Sequence, residues 1–86
     1  MLNKNKVTIY TAWYCSFCDD AKKILHNNKI DYIEIPTSKN NETWQEMVKL
    51  SGKNTVPQIF INNKAIGGFD NLSLLNNNGE LNKLLK

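Results

Sequence analysis

Two thiols set the question this sequence poses. Cys15 and Cys18 are the only cysteines, and they stand two residues apart in Tyr14-Cys15-Ser16-Phe17-Cys18-Asp19. A C-x-x-C pair can hold a metal, close a structural disulfide or carry out thiol redox chemistry. A structural zinc site needs four ligands. Besides the two thiols the chain offers one histidine, His26, eight residues beyond Cys18 and too far along the same helical stretch to share a site. His26 reads as a helix-end or surface residue. The first six residues carry no apolar run of the kind a secretory signal needs. The expected compartment is therefore the cytoplasm, where disulfides are rare unless they are catalytic or redox-sensing.

The elements around the pair sharpen the choice. Lys6–Tyr10, KVTIY, is β-branched and alternating, and reads as a strand. Apolar residues then fall at Phe17, Ala21, Ile24 and Leu25, the spacing of a helix that Asn27 and Asn28 end. Ile30–Ile35 reads as a second strand, stopped by Pro36. Thr37–Asn41 is a polar loop able to cap a second helix through Trp44, Met47 and Val48, with Ser51-Gly52 as its stop. Gln58–Ile61 is a third strand, Asn62-Asn63-Lys64 a turn, and Ala65-Ile66 a short fourth strand. Gly67-Gly68 breaks the chain. Asp70 can cap a helix through Leu72, Leu74 and Leu75 that Gly79 ends, and Leu81, Leu84 and Leu85 mark a last short helix.

The order β-α-β-α-β-β-α, plus a short C-terminal helix, predicts an α/β fold. Parallel strands joined by a helix cross over right-handedly. A hairpin then extends the same sheet antiparallel, giving a mixed four-stranded sheet flanked by helices on both faces. With 86 residues and no repeat or linker, residues 1–86 read as one domain. The net charge of +3 is mild and the lysines are scattered, which argues against a nucleic-acid-binding stripe. No segment approaches the roughly 20 apolar residues of a membrane span.

In this setting the redox reading has a physical basis. A C-x-x-C near a βαβ pattern reads as a thioredoxin-like motif. Cys15 falls at a helix N-terminus, whose unpaired N–H groups and partial positive charge favour a thiolate. The thiolate is the attacking species. Cys18, one turn in and more shielded, would be the resolving thiol.

Three segments in order, CSFC after a strand, TVPQIFI, and GGFDNL, resemble the glutaredoxins, and most of all the small bacterial dithiol members. The likeness runs from VTIYTAWYCSFC to the final LNKLLK. It implies a thioredoxin fold and a glutathione-dependent thiol–disulfide oxidoreductase, with Cys15 as nucleophile and Cys18 as resolving thiol. The substrates would be glutathionylated or disulfide-bonded proteins, and electrons would come from NADPH through glutathione reductase. Glutathione would lie against Phe17, Lys53, Thr55, Val56, Pro57, Gln58, Gly68, Phe69, Asp70 and Asn71. Val56–Pro57 would be cis, with the Val56 backbone pairing with the cysteine of glutathione. Gln58, helped by Lys53, would reach its glycine carboxylate. The segment Gly68–Asn71 would receive its γ-glutamyl end at a helix N-terminus, a natural anion site.

Each assignment has a plainer counterpart. Asp70 can be a helix cap, Gln58 a solvent-facing strand residue, and the glycine pair a turn. Trp44 reads as core, while Trp13 fits either a substrate-facing rim or packing on the sheet edge. The sequence also departs from the family. Ser16 and Phe17 replace the usual Pro and Tyr of C-P-Y-C, and Ala12 stands where a Lys is common. Ser16 keeps a second reading open, a dimer bridged by a [2Fe-2S] cluster held by Cys15 and glutathione; without it the chain is expected to be monomeric. A redoxin fed by thioredoxin reductase fits less well, because it would lack the TVPQ and GGFDN features.

Overall fold

Strand β1, Val7–Thr11, is buried at all five positions. It owes this to its place in the sheet, whose order is β2-β1-β3-β4. The structure, a computed structural model, describes residues 6–38 and 41–85. The N-terminal residues 1–5, loop residues 39–40 and residue 86 therefore lie outside the described part, and with them part of the Thr37–Asn41 loop and the end of LNKLLK. Strand β2 (Ile33–Pro36) runs parallel to β1, β3 (Gln58–Ile61) antiparallel to it, and β4 (Lys64–Gly67) antiparallel to β3. The expected mixed four-stranded sheet is present.

Side chains alternate across the sheet. Val7, Ile9, Ile59 and Ile61 face one side, where Ala21 and Leu25 of helix α1 (Ser16–Asn27), Leu72 of α3 (Phe69–Asn77) and Leu81 of α4 (Glu80–Leu84) close a core. Tyr10 and Phe60 face the other side and meet Trp44 and Met47 of α2 (Glu42–Ser51). Their rings stand edge to face, with centroids 5.6 Å apart. Helices thus cover both faces. Among the described residues, no helix is long and apolar enough to cross a membrane.

Local chemistry explains where the elements start and stop. Asn41 Oδ1 accepts the Trp44 N–H at 2.8 Å and caps α2, as the loop composition suggests. Gly52 ends that helix at φ 74°, a left-handed conformation that suits glycine. Several bounds differ from expectation. β1 begins at Val7 rather than Lys6 and gains Thr11, and β4 gains a residue at each end. β2 begins at Ile33, not Ile30, and keeps Pro36 as its last paired residue, opposite Thr11. An edge strand tolerates this proline, which lacks only a donor. Ile30 and Tyr32 pack on the core without pairing. α3 ends at Asn77, two residues before Gly79, which instead sits at the start of α4 with φ 82°.

Candidate functional site

The loop that leaves β1 delivers Cys15 to the start of α1. The Cys15 N–H donates to the Ala12 carbonyl at 3.2 Å, a turn that holds the residue in extended conformation as the helix N-cap. Its Sγ then accepts the Cys18 N–H at 3.2 Å. A sulfur here does the work of a capping oxygen: it shares the Cys18 N–H with the Cys15 carbonyl, which accepts the same N–H at 3.2 Å. The helix end places unpaired N–H groups and a partial positive charge beside this sulfur. On its other side the Cys15 thiol donates to the Val56 carbonyl at 3.5 Å.

Cys18 is different in kind. It lies inside α1, only 1% exposed. Burial, and then its hydrogen bond with Cys15, push its thiol up to about 12. It stays protonated at neutral pH. Both cysteines are free thiols. The pair is therefore asymmetric, with one accessible sulfur at a charged helix end and one neutral sulfur behind it.

Beside Cys15 opens a cleft of about 230 Å³. Phe17 forms one wall. Lys53, Thr55, Val56, Pro57 and Gln58, from the segment that enters β3, form another. Gly67, Gly68, Phe69, Asp70 and Asn71, from the end of β4 and the first turn of α3, close it. All ten residues that the resemblance assigns to glutathione line this one cleft. The Phe17 and Phe69 rings stack across it, centroids 5.7 Å apart at 28°. The Val56–Pro57 peptide is cis, as the resemblance implies.

Two side chains depart from their plainer readings. Gln58 is not on a solvent face but 3% exposed. Its amide nitrogen donates to the Thr55 carbonyl at 3.1 Å and to Thr55 Oγ1 at 3.2 Å. A carbonyl only accepts, so the nitrogen must face it. Both amide hydrogens are thus engaged, and Gln58 Oε1 is left buried with no partner among the described residues. Asp70 is not the cap of α3. The cap is Gly68, and Asp70 is the second residue of the helix, within its first turn. Asn71 supplies the missing side chain, its Oδ1 accepting the Gly68 N–H at 3.3 Å.

Sequence reasoning placed Gly68 in the site but treated Gly67 as a turn. Gly67 lines the cleft, with φ 120°, a conformation L side chains rarely adopt. A Cβ on it would run into the Asn71 side chain. The Gly-Gly dipeptide was the available signal. Trp13 does not pack on the sheet edge: it is 91% exposed. Trp44 is core, as read. Among the described residues no group of three His, Cys, Asp or Glu side chains is placed to hold a metal ion.

Comparison with known proteins bears on this geometry. The glutaredoxin family model matches residues 7–66. The chain is 44% identical to glutaredoxin 3 of Escherichia coli (strain K12) over 80 residues, covering 93% of this chain and 96% of that one. It resembles the solution structure of a glutaredoxin from Brucella melitensis with a TM-score of 0.82 at 42% identity, over 94% of this chain and 88% of that one. It resembles a buckwheat glutaredoxin–glutathione complex with a TM-score of 0.84 at 28% identity, over 96% and 78% of the two chains.

Proposed function

The chain belongs to the glutaredoxin family, whose members are thiol–disulfide oxidoreductases, and from that premise we propose that it reduces protein–glutathione mixed disulfides and protein disulfides with glutathione as electron donor. The observation that carries this reading is the placement of Cys15. It is the accessible sulfur, it caps α1, and it stands at the mouth of the cleft that Val56 helps to line.

The reaction follows from that placement. The Cys15 thiolate attacks the glutathione sulfur of a mixed disulfide. The Cys15–glutathione bond forms, the protein–glutathione bond breaks, and the protein sulfur leaves as a thiolate that takes a proton from water. A second glutathione thiolate attacks the bound glutathione sulfur, releasing oxidised glutathione and restoring Cys15. Glutathione reductase and NADPH would recycle the product. With a protein disulfide, Cys18 attacks the Cys15–protein mixed disulfide and closes a Cys15–Cys18 bond, which two glutathiones reopen. That attack needs a Cys18 thiolate, and burial opposes it.

Binding would use the whole cleft. Lys53 offers the charge for the glycine carboxylate, since the Gln58 amide hydrogens already serve Thr55. The α3 N-terminus, with Asp70 and Asn71 in its first turn, offers N–H groups for the γ-glutamyl carboxylate. Phe17 and Phe69 pack against the tripeptide backbone. The solved complex of the buckwheat relative with glutathione supports this choice of ligand. The reducing cytoplasm is the compartment this chemistry suits.

The alternative reading is a dimer bridged by a [2Fe-2S] cluster. A cluster takes four thiolates, and one chain presents a single accessible sulfur, Cys18 being buried. The other ligands would have to come from a second copy and two glutathiones. Visible absorbance of the protein as purified is its test.

The direct test of the proposal is to trap the intermediate. Cys18→Ser protein is mixed with a glutathionylated peptide in the absence of free glutathione, and the product is mapped by mass spectrometry. One glutathione on Cys15 and release of the reduced peptide are expected. A peptide–Cys15 adduct, or no transfer, would overturn the assigned direction of attack.

A further inference from the structure

Four of the eight aromatic residues surround Cys15, and they form two pairs with different surroundings. Phe17 and Phe69 stack inside the cleft proposed for glutathione. Trp13 and Tyr14 immediately precede Cys15 and do not line that cleft. Their rings pack edge to face at 5.6 Å and 83°. Trp13 is 91% exposed and Tyr14 58%. The core therefore gains almost nothing from Trp13. Phe17 is 57% exposed but belongs to the cleft, and the remaining large exposed apolar side chains among the described residues, Ile33, Leu50, Leu74 and Leu84, belong to four different elements. A cluster of exposed aromatics beside a reactive sulfur is the informative case, while scattered exposed residues need no explanation.

The reaction has a place for such a surface. Building on the proposed function, the substrate is a disulfide with two halves. Glutathione takes the cleft, so that side of Cys15 is filled when the sulfurs meet. In a thiol–disulfide exchange the three sulfurs lie in line, and the leaving sulfur is only one bond from the glutathione sulfur. The residues flanking the leaving cysteine then meet surface near Cys15 that glutathione does not occupy, and Trp13 and Tyr14, the two residues before Cys15, are exposed and outside the cleft.

We propose that Trp13 and Tyr14 form the contact surface for the leaving protein half of the substrate, and that they select glutathionylated cysteines with an apolar or aromatic residue within about two positions, the spacing over which neighbouring side chains of an extended segment share one face. Their chemistry fits this role. Trp and Tyr supply large contact area with few rotatable bonds, and they are enriched among residues that dominate interfaces. The edge-to-face contact holds the two rings as a preformed platform. No charge is required of the partner, because no ionisable side chain lies between Ala12 and Cys15 except the Tyr14 phenol.

The test compares three substrates. Two are glutathionylated peptides of equal charge, one with Leu and Phe beside the cysteine and one with Gly and Ser. The third is the mixed disulfide of glutathione with 2-mercaptoethanol, which has almost no leaving half. Wild type, Trp13→Ala and Trp13→Ala/Tyr14→Ala are compared by kcat/KM. The wild type is expected to prefer the apolar peptide by about fivefold to thirtyfold, the size of effect a well-buried aromatic contact has at an interface. In the double variant the ratio between the two peptides should fall towards one. A ratio that persists in the variants, or a wild type with no preference, would overturn the proposal. So would a loss of the same factor on all three substrates, since that is the signature of a misplaced Cys15. A wild type inert towards the 2-mercaptoethanol disulfide would instead refute the proposed function, and this inference would fall with it.

Discussion

Replacing Gly67 by alanine probes the join between β4 and α3 that shapes one wall of the cleft. Two costs can be read from the structure. The backbone holds φ 120° at Gly67, and an L residue in such a sparsely populated region costs about 1–3 kcal/mol. The new Cβ also meets the Asn71 side chain. Asn71 can swing away, but it then gives up the hydrogen bond its Oδ1 accepts from the Gly68 N–H. Loss of a helix-capping bond costs about 1 kcal/mol. Gly67→Ala should therefore lose about 2–4 kcal/mol in urea unfolding of the reduced protein, taking both effects together. Asn71→Ala alone should lose about 1 kcal/mol, the capping bond only. In the double variant there is no side chain left to displace, so the cap is lost once rather than twice. The double loss should fall short of the sum by about 1 kcal/mol, a coupling typical of residues in contact. Losses that add to within about 0.3 kcal/mol would refute the argument that the two side chains compete for one space.

Three further outcomes follow from burial and charge. Resolution of a Cys15–glutathione adduct by Cys18, followed by rapid quench, should speed up as pH rises from 7 to 9, because burial holds this thiol protonated; a flat profile would contradict that effect of burial. Glu34 accepts from Thr11 Oγ1 at 2.7 Å and from Lys22 Nζ at 3.2 Å, which holds its carboxyl below the usual carboxylate range. Its contribution, about 1 kcal/mol for a half-exposed pair, is present above the unfolded value of about 4.3 and is lost as pH falls through the depressed folded value. Glu34→Gln should thus be less stable than wild type at pH 7 and indistinguishable from it in strong acid, as read from thermal midpoints. Met47 is fully buried between α2 and the sheet, so Met47→Ala should cost about 2–5 kcal/mol by chemical denaturation; a cost under about 1 kcal/mol would mean that this face of the core is loosely packed.

What the sequence made legible depended on the kind of signal each residue leaves. Cys15 and Cys18 could be placed at a helix start because a strand pattern and a 3.6-residue pattern met there. The cleft was legible only through its resemblance, since Thr55, Val56, Gly68 and Asn71 carry no chemistry of their own and are far apart in sequence. The cap of α3 was misread at Asp70 because a glycine cap has no side chain to advertise it; the partner oxygen comes from Asn71, three residues on. The start of β2 was misread because Ile30 and Tyr32 are apolar for packing, not for pairing. The plainer reading put Gln58 on a solvent face because glutamine is usually exposed, whereas its burial depends on the Thr55 carbonyl and hydroxyl that receive its amide.

The measurement closest to the central claim is glutathione-dependent reduction of a glutathionylated peptide, coupled to glutathione reductase and NADPH, in wild type, Cys15→Ser and Cys18→Ser. The account predicts turnover in the wild type, none in Cys15→Ser, and retained turnover in Cys18→Ser, because only the half-buried N-capping sulfur is needed to take and return glutathione. Turnover that survives in Cys15→Ser, or disappears in Cys18→Ser, would contradict it.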